Sequence, residues 1–241
     1  MNLLLLLPDD LTHSNQAKIT GRRHQHIVQV IKAKLGDALN AGLLNGAMGT
    51  ATIIAQDTNT TVVSLALNQP PPQPLPLTLI LALPRPKVLR RVLQAITTLG
   101  VKQIHLIGSW RVEKSYWQSP FLESEKIQQQ LLLGLEQTMD TQIPDVHLHP
   151  YFKPFAEDQL KAIAGETSCI VAHPTAKAIA PTAHEGALTL AIGPEGGFIP
   201  YEIQKFEAAG FQAATLGARI LSVEVAVSSL ISRLTANPKT H

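Results

Sequence analysis

A glycine-rich loop built around a carboxylate is the stretch of this sequence with the clearest chemical potential. It reads IGPEGGFIP over residues 192–200 and places one acid among three glycines: Gly193, Glu195, Gly196 and Gly197. Glycines let a ligand approach backbone N–H groups closely, and a helix that begins near Pro200 would direct its positive end at the loop. The spacing fits neither phosphate-loop pattern, and Glu195 would repel a triphosphate. A zwitterionic or cationic ligand therefore fits better, and a tight strand-to-helix turn without a ligand is the alternative.

A second loop, LGARILS at residues 216–222, leads into an apolar helix predicted from about residue 223 to residue 234. Arg219 is the only charged residue of this stretch before Glu224. Arg219 is either a ligand-facing cation or a surface arginine. Glu224 is either a site residue or an acid that interacts with the helix dipole. The helix is rich in Val and Ser, which are weak helix formers, so packing must stabilise it.

These loops lie in a part of the chain where apolar strands alternate with amphipathic helices. Strands are predicted at residues 77–83, 103–108, 146–149, 168–173, 188–193 and 213–217. Helices are predicted within residues 86–100, 123–137 and 200–210, the first from its apolar residues at three- and four-residue spacing. Such alternation indicates an α/β fold with a mostly parallel sheet covered on both faces. Ligands of these sheets bind beyond the carboxyl ends of the strands, and both candidate loops fall there.

The first part of the chain predicts a small β-barrel. Strands are predicted at residues 3–7, 26–31, 36–44, 48–56 and 60–67. Arg22, Arg23, His24 and His26 come just before or at the second of these. His24 and His26, two residues apart on a strand, would face one side, but two histidines without a third ligand are weak support for a metal. An RNA-facing or exposed edge is the stronger expectation, and no metal site is predicted.

A proline-rich stretch, NQPPPQPLP at residues 68–76, separates the two parts. Prolines at this density exclude a helix or a central strand and predict a stiff, extended connector. The expected domains are residues 1–69, the barrel, and residues 75–241, the α/β part.

Charge is concentrated although the formal net charge is only +2. Residues 85–114 contain seven Lys and Arg against one acid, a net of 7 − 1 = +6. A basic cluster is an electrostatic footprint for nucleic acid, and a solvated helix face is the alternative. The N-terminal apolar run of five leucines is too short for a signal peptide or a membrane span. The single cysteine, Cys169, permits no disulfide within the chain, so a cytoplasmic protein is expected.

The two loops together resemble a known family. IGPEGGF at residues 192–198 and LGARILSVEVA at residues 216–226 are similar, in order and spacing, to motifs of the SPOUT methyltransferases. The nearest resemblance is to the family that methylates N3 of a uridine in small-subunit (16S) ribosomal RNA. Similarity extends along nearly the whole chain, through HIVQVIKAKLGDAL, LGVKQI, LEQTMDTQIPDV and AHP at residues 172–174.

The resemblance implies a PUA-like N-terminal barrel followed by a SPOUT domain whose C-terminal segment forms a trefoil knot. It implies a homodimer, no metal, and S-adenosylmethionine (AdoMet) as cofactor, whose cationic sulfonium would make Glu195 electrostatically reasonable. The implied cofactor-binding residues are His173, Ile192, Gly193, Glu195, Gly196, Gly197, Leu216, Gly217, Ile220 and Leu221. The implied catalytic residues are Arg219 and Glu224. Arg219 would lie beside the uracil anion or a phosphate. Glu224 and Glu195 would also organise the cofactor-binding loops.

Ribosomal RNA or the small ribosomal subunit is the expected partner, and no membrane is involved. The residues expected to contact RNA are Arg22, Arg23, His26, Lys32, Arg85, Lys87, Arg90 and Arg91. The sequence departs from the family pattern at residues expected to face RNA or the target base: Ile31, Lys32, Ala95, Thr98, Asp140, Ser222 and Val225. These departures leave open a diverged paralogue that methylates another RNA site, or an RNA-binding protein that keeps the AdoMet pocket without efficient catalysis. An unrelated α/β enzyme that uses a nucleotide is a third alternative, weakened by the missing phosphate motif.

Overall fold

The computed structural model describes residues 1–13 and 15–235, and its two β-sheets belong to two separate units. The first unit contains Met1–Gln73 and Leu131–Ile143, and the second contains Pro74–Gln130 and the chain from Pro144 onward. Residues 70–76 form neither helix nor strand, as the proline-rich sequence predicts.

The first unit contains a curled, mostly antiparallel sheet of six strands in the order β1-β4-β5-β6-β3-β2. In chain order its elements are β1 (Leu4–Leu6), a 3-10 turn (Pro8–Asp10), β2 (Leu11–His13), β3 (Gln16–Thr20), α1 (Gly21–Gln25), a π-helical turn (His26–Ile31), β4 (Ala38–Leu43), β5 (Met48–Gln56) and β6 (Thr60–Gln69). The sheet encloses a core that includes Leu4, Ile19, Ile27, Ile53 and Val63. The segment Leu131–Ile143 joins this unit because Leu135 packs with Leu3, Leu5 and Met48.

The strand predicted at residues 26–31 is wrong, because residues 21–31 are helical. His24 and Ile27 are both buried. Residues three apart share one face of a helix but opposite faces of a strand, so burying both side chains requires the helix. His24 is hydrogen-bonded to Thr61 Oγ1 at 2.9 Å and to the Thr58 carbonyl at 3.2 Å. It therefore does not share a ligand-facing edge with His26.

The second unit contains a seven-stranded, wholly parallel sheet in the order β11-β13-β10-β12-β7-β8-β9. Its strands are β7 (Leu77–Ala82), β8 (Gln103–Ile107), β9 (Asp145–His149), β10 (Ser168–Ala172), β11 (Ala178–Ile179), β12 (Leu188–Ile192) and β13 (Gln212–Thr215). Its helices are α2 (Pro86–Thr98), α3 (Ser124–Thr138), which continues into the segment assigned to the first unit, α4 (Phe152–Pro154), α5 (Leu160–Ala164), α6 (Pro200–Ala208) and α7 (Val223–Thr235). The predicted parallel α/β sheet is confirmed, and β12 is buried along its whole length.

Strand β13 is flanked on both sides by one continuous stretch of chain. The chain leaves β10, adds β11 on the far side of β13, and returns to β12 on the other side of β10. Backbone hydrogen bonds fix this path: Ala180 N donates to Thr215 O at 2.8 Å, and His184 N donates to Leu234 O at 2.7 Å. The connection between β10 and β12 thus contacts both β13 and the end of α7, and the trefoil knot implied by the family resemblance stays a prediction.

No helix within the described residues combines the length and the apolar character needed to cross a membrane.

Candidate functional site

A cavity of about 110 Å³ opens at the carboxyl ends of β10, β12 and β13, where the two loops were expected to meet. Its walls come from three loops and the start of α7. Among the expected site residues, those that line it are His173, Ile192, Gly193, Glu195, Gly197, Leu216, Arg219, Ile220 and Leu221. Further lining residues, not expected from sequence, are Ala172, Pro174, Pro194, Ala214, Thr215, Val223, Ala226 and Leu230. The cavity is therefore mostly apolar, with Glu195 and Arg219 as its charged groups.

The loop after β12 is folded so tightly that its glycines are required. Gly197 has φ +71°, and its N–H donates to the Pro194 carbonyl at 2.7 Å. A Cβ at Gly193 would lie 3.0 Å from the Phe198 nitrogen, so a side chain there would require the loop backbone to shift by a few tenths of an ångström. The backbone curvature that shapes this wall thus depends on glycine at both residues.

Gly196 was expected to contact the cofactor, but it contacts Arg111 instead. It does not line the cavity; the Arg111 guanidinium donates to its carbonyl oxygen. A Cβ at Gly196 would lie 2.9 Å from Arg111 Cδ. Gly196 therefore supports the loop by admitting Arg111, which lies in the connection after β8.

A buried carboxylate joins the connection after β8 to the cavity loop. Glu202 in α6 is 1% exposed and accepts hydrogen bonds from Ser109 Oγ at 3.1 Å, Trp110 N at 2.8 Å and Ile199 N at 2.9 Å. Three donors satisfy the buried charge. Glu202 thereby fixes both the turn that carries Arg111 and the end of the glycine-rich loop.

The connection after β8 also brings a tyrosine near the site. Tyr116 donates its hydroxyl to Glu113 Oε1 at 3.1 Å. Burial and this carboxylate raise the pKa of Tyr116, and the charges of Arg85 and Glu195 also act on it. Tyr116 therefore stays protonated at neutral pH, which makes it a hydrogen-bond donor rather than a base.

The loop after β13 carries the expected arginine into the cavity wall. Gly217 does not line the cavity but has φ +121°, and its N–H donates to Thr215 Oγ1 at 3.2 Å. This turn leads to Arg219, which is exposed and lines the cavity. Ile220 also lines the cavity although it is 86% exposed, so apolar surface at the mouth faces solvent.

Glu224 lies beside the cavity rather than in its wall. Its carboxylate forms an ion pair with Arg91 of α2, with side-chain exposures of 32% and 66%. Glu224, which was expected to be catalytic, and Arg91, which was expected to contact RNA, therefore bind each other.

His173 lines the cavity at the end of β10. Its Nδ1 lies 3.0 Å from Thr175 Oγ1. This hydrogen bond orients the ring.

The other residues of the second unit that were expected to contact RNA, Arg85, Lys87 and Arg90, are exposed at the start of α2. The Arg85 backbone N–H lies 3.4 Å from Glu195 Oε1, which places the start of α2 next to the glycine-rich loop. Arg90 lies over the ring of Phe121, with its guanidinium carbon 5.2 Å from the centroid. Lys87 is exposed.

The basic residues of the first unit differ in how exposed they are. Arg23 forms a two-pronged pair with Asp10 at 2.6 and 2.7 Å, and its side chain is only 14% exposed. Its charge is neutralised within the unit rather than presented to phosphate. Arg22 is 56% exposed and pairs with Glu136, Lys32 is exposed, and His26 is half-buried. Burial, together with the N-terminal amino group and Arg22, lowers the pKa of His26.

The departures from the family pattern lie in different environments. Asp140 is 4% exposed and accepts a hydrogen bond from Gln142 N at 2.9 Å. It is therefore not an RNA-facing residue, contrary to the expectation for this position. Ser222, Val225 and Thr98 are exposed, so their replacement changes the surface.

No cluster of three or more potential metal-ligating side chains occurs among residues 1–13 and 15–235.

Known proteins resemble both the sequence and the fold. The RNA methyltransferase domain family matches residues 71–235. The chain belongs to this family. The RNA methyltransferase is also 30% identical to a ribosomal RNA small subunit methyltransferase E of Treponema pallidum (strain Nichols), over 98% of this chain and 91% of the relative.

Solved structures share the fold of this RNA methyltransferase over both of its units. The structure of a ribosomal RNA small subunit methyltransferase E from Neisseria gonorrhoeae, bound to S-adenosylmethionine, has a TM-score of 0.72 at 22% identity and covers 96% of this chain and 95% of that one. A Legionella pneumophila methyltransferase in complex with the same cofactor has a TM-score of 0.70 at 22% identity, with the same coverage. The expected combination of a small barrel-like sheet and a SPOUT-type α/β domain is confirmed.

Proposed function

We propose that this RNA methyltransferase uses S-adenosylmethionine to methylate N3 of a uridine in small-subunit ribosomal RNA. The observation that supports the proposal best is the meeting of the two motif-bearing loops at one cavity, with Glu195 and Arg219 in its wall. The ribosomal RNA methyltransferase from Treponema pallidum, similar over nearly the whole chain, supports the substrate class.

The residues of the cavity fit the proposed cofactor. The apolar side chains of Ile192, Leu216 and Leu221 suit an adenine ring, and tight glycine turns leave room for a ligand against the backbone. The Glu195 carboxylate suits a ligand that carries positive charge. When bound, AdoMet supplies an activated methyl group, so no metal is required.

Arg219 is proposed as the catalytic residue. Uridine N3 is weakly acidic, and its anion is the better nucleophile, so a nearby cation favours the reactive form. Arg219 is the cationic side chain in the cavity wall. Glu224 is proposed to act through its ion pair with Arg91, which ties the start of α7 to α2. It is thus an organiser of the site and not a base.

RNA is proposed to contact exposed basic residues of both units, and the protein is proposed to act as a homodimer in the cytoplasm. The proposed phosphate contacts are Arg22, His26, Lys32, Arg85, Lys87 and Arg90, while Arg23 supports the first unit through Asp10. The exposed replacements at Ser222 and Val225 support a second candidate, a paralogue that methylates a different RNA nucleotide.

Calorimetric titration with AdoMet and S-adenosylhomocysteine tests the cofactor. We expect micromolar binding by the natural protein and its loss in Gly193→Val, because the added side chain would collide with the Phe198 nitrogen. Gly210→Ala is the control for a glycine replacement outside the cavity wall, since Gly210 lies just after the end of α6. Absence of binding at millimolar ligand would overturn the assignment.

A further inference from the structure

The turn after β8 presents an exposed tryptophan beside the cavity loop. Trp110 is 81% exposed. An indole is a large, mostly apolar group that usually covers other side chains or a ligand. In the single chain the ring is therefore accessible to a ligand.

The exposed indole stands on a rigid base. The Trp110 backbone N–H donates to Glu202 Oε1 at 2.8 Å, and Glu202 is itself buried. Val112 N donates to the Ser109 carbonyl at 3.0 Å, which closes the turn, and the Val112 side chain is buried. The fold thus holds this side chain out in solvent from a fixed backbone.

The position of the turn relates the indole to the proposed reaction. The next residue, Arg111, donates to the Gly196 carbonyl in the loop that also carries Glu195 and Gly197. Consecutive Cα atoms are about 3.8 Å apart, so the Trp110 backbone lies directly beside a residue in contact with the cavity loop. A ligand on the indole would therefore be held by the same turn that contacts this loop.

The charges around the turn suit an anionic polymer. Arg111 and Lys114 are exposed in the same connection with one exposed acid, Glu113, between them, and Arg85 lies next to Glu195. An aromatic face flanked by cations is the combination that holds single-stranded nucleic acid, because bases stack on the ring while phosphates meet the charges.

We propose that Trp110 is a stacking platform for an unpaired nucleobase of the RNA substrate, next to the nucleotide that enters the cavity. The proposal rests on the proposed RNA-methylating function and adds a recognition site to it. Stacking on an indole tolerates any base, so Trp110 contributes affinity and placement rather than base identity.

Tryptophan fluorescence tests the contact directly, because the chain contains only Trp110 and Trp117. Trp117→Phe leaves Trp110 as the single indole, and Trp110→Phe leaves Trp117. Each variant, saturated with AdoMet, is titrated with an unstructured oligouridylate. We expect strong quenching in Trp117→Phe and little in Trp110→Phe. An unquenched Trp110 while the oligonucleotide is bound would overturn the proposal.

Affinity measurements provide the matched control. Trp110→Ala should weaken oligouridylate binding by roughly 5- to 150-fold, the range that corresponds to loss of one base stack, and Trp110→Phe should restore most of it. AdoMet binding should be unchanged in both variants, because Trp110 does not line the cavity. Equal RNA affinity of Trp110→Ala and the natural protein would contradict the proposal.

Two other outcomes are distinguishable. If a second copy of the chain covers Trp110, Trp110→Ala will change the molar mass measured by light scattering, and the indole will be shielded before RNA is added; that result overturns the stacking site. If the proposed function fails, nucleoside analysis will find no methylated nucleoside made by the natural protein. Quenching of Trp110 fluorescence by RNA is a separate measurement, which tests the stacking site whatever the activity.

Discussion

Glu224, in the first turn of α7, forms an ion pair with Arg91 of α2. Since Arg91 is largely exposed, such a pair contributes at most about 1 kcal/mol to stability. Because α7 begins directly after the loop that carries Arg219, we expect the larger effect of the pair to be on the placement of this loop.

Because Arg91 and Glu224 form one ion pair, replacing either residue should have the same effect on methyl transfer. Arg91→Ala and Glu224→Ala should lower the methyl-transfer rate by similar factors, and the double variant should lower it no further, because each change breaks the same contact. Urea denaturation of the four proteins gives the coupling in stability. A large loss of rate in Glu224→Ala with an unchanged rate in Arg91→Ala would instead place Glu224 at the reacting atoms.

Gly197 and Gly210 form a matched pair for testing the cavity loop. Both have positive φ, at +71° and +94°, and both have open space where a Cβ would stand. Each alanine variant should lose about 1–2 kcal/mol of stability through backbone strain. Only Gly197→Ala should weaken AdoMet binding measured by calorimetry, by roughly tenfold, because Gly197 lines the cavity. Similar AdoMet affinities in the two variants would argue against a role for this loop in cofactor binding.

Arg219 should affect turnover more than cofactor affinity. Arg219→Ala should reduce kcat by about 10²–10³, the effect typical of removing one group that stabilises developing negative charge, and should change the AdoMet dissociation constant only a few-fold. Arg219→Lys keeps the charge and should recover part of the rate. If the alanine variant raises KM for RNA and leaves kcat unchanged, Arg219 holds phosphate rather than the uracil anion.

A histidine trio predicts loss of stability in acid. His105 stacks on His147 with centroids 4.9 Å apart, and its Nδ1 lies 3.0 Å from His149 Nε2. Burial, with the charges of His147 and His149, lowers the pKa of His105 from 6.5 to about 4, and burial also lowers the pKa of His149. Between pH 6.5 and 4 the unfolded chain therefore binds more protons than the folded protein, so stability falls as the pH falls through this window.

The measurement is the urea midpoint between pH 7 and pH 4.5. The natural protein should lose stability across this range, and His105→Phe should lose less, because it removes the group with the largest shift. His173→Gln is the control, since β10 lies three strands from β8 in the sheet order. An unchanged pH dependence in His105→Phe would show that His105 does not carry the effect.

The regular elements of the second unit were predictable because their patterns are local. Apolar runs marked β7, β8, β10 and β12, and the spacing in residues 86–98 marked α2. Strand β11 was not predicted, since two residues at Ala178–Ile179 carry no periodic signal. Residues 26–31, part of the helical segment 21–31, were mistaken for a strand because their alternation of β-branched residues favours a strand locally, whereas burial of His24 and Ile27 decides the structure.

Only the site residues that lie within the two sequence motifs were predictable. Residue types pointed to the loops around Gly193 and Arg219, which do line one cavity. Arg111 and Glu202 were missed because their contacts join residues 85 and 92 or 93 positions apart. The one available signal was an acid at the third position of the helix that begins at Pro200, where a carboxylate commonly binds a free N–H.

The proposed uridine-N3 activity can be measured by mass spectrometry of nucleosides from small-subunit ribosomal RNA. The RNA is taken from cells that lack the gene and incubated with the purified protein and AdoMet. We predict that 3-methyluridine appears with the natural protein and not with Arg219→Ala over the same time. Bound AdoMet without any 3-methyluridine, or with a different methylated nucleoside, would contradict the proposed uridine-N3 activity.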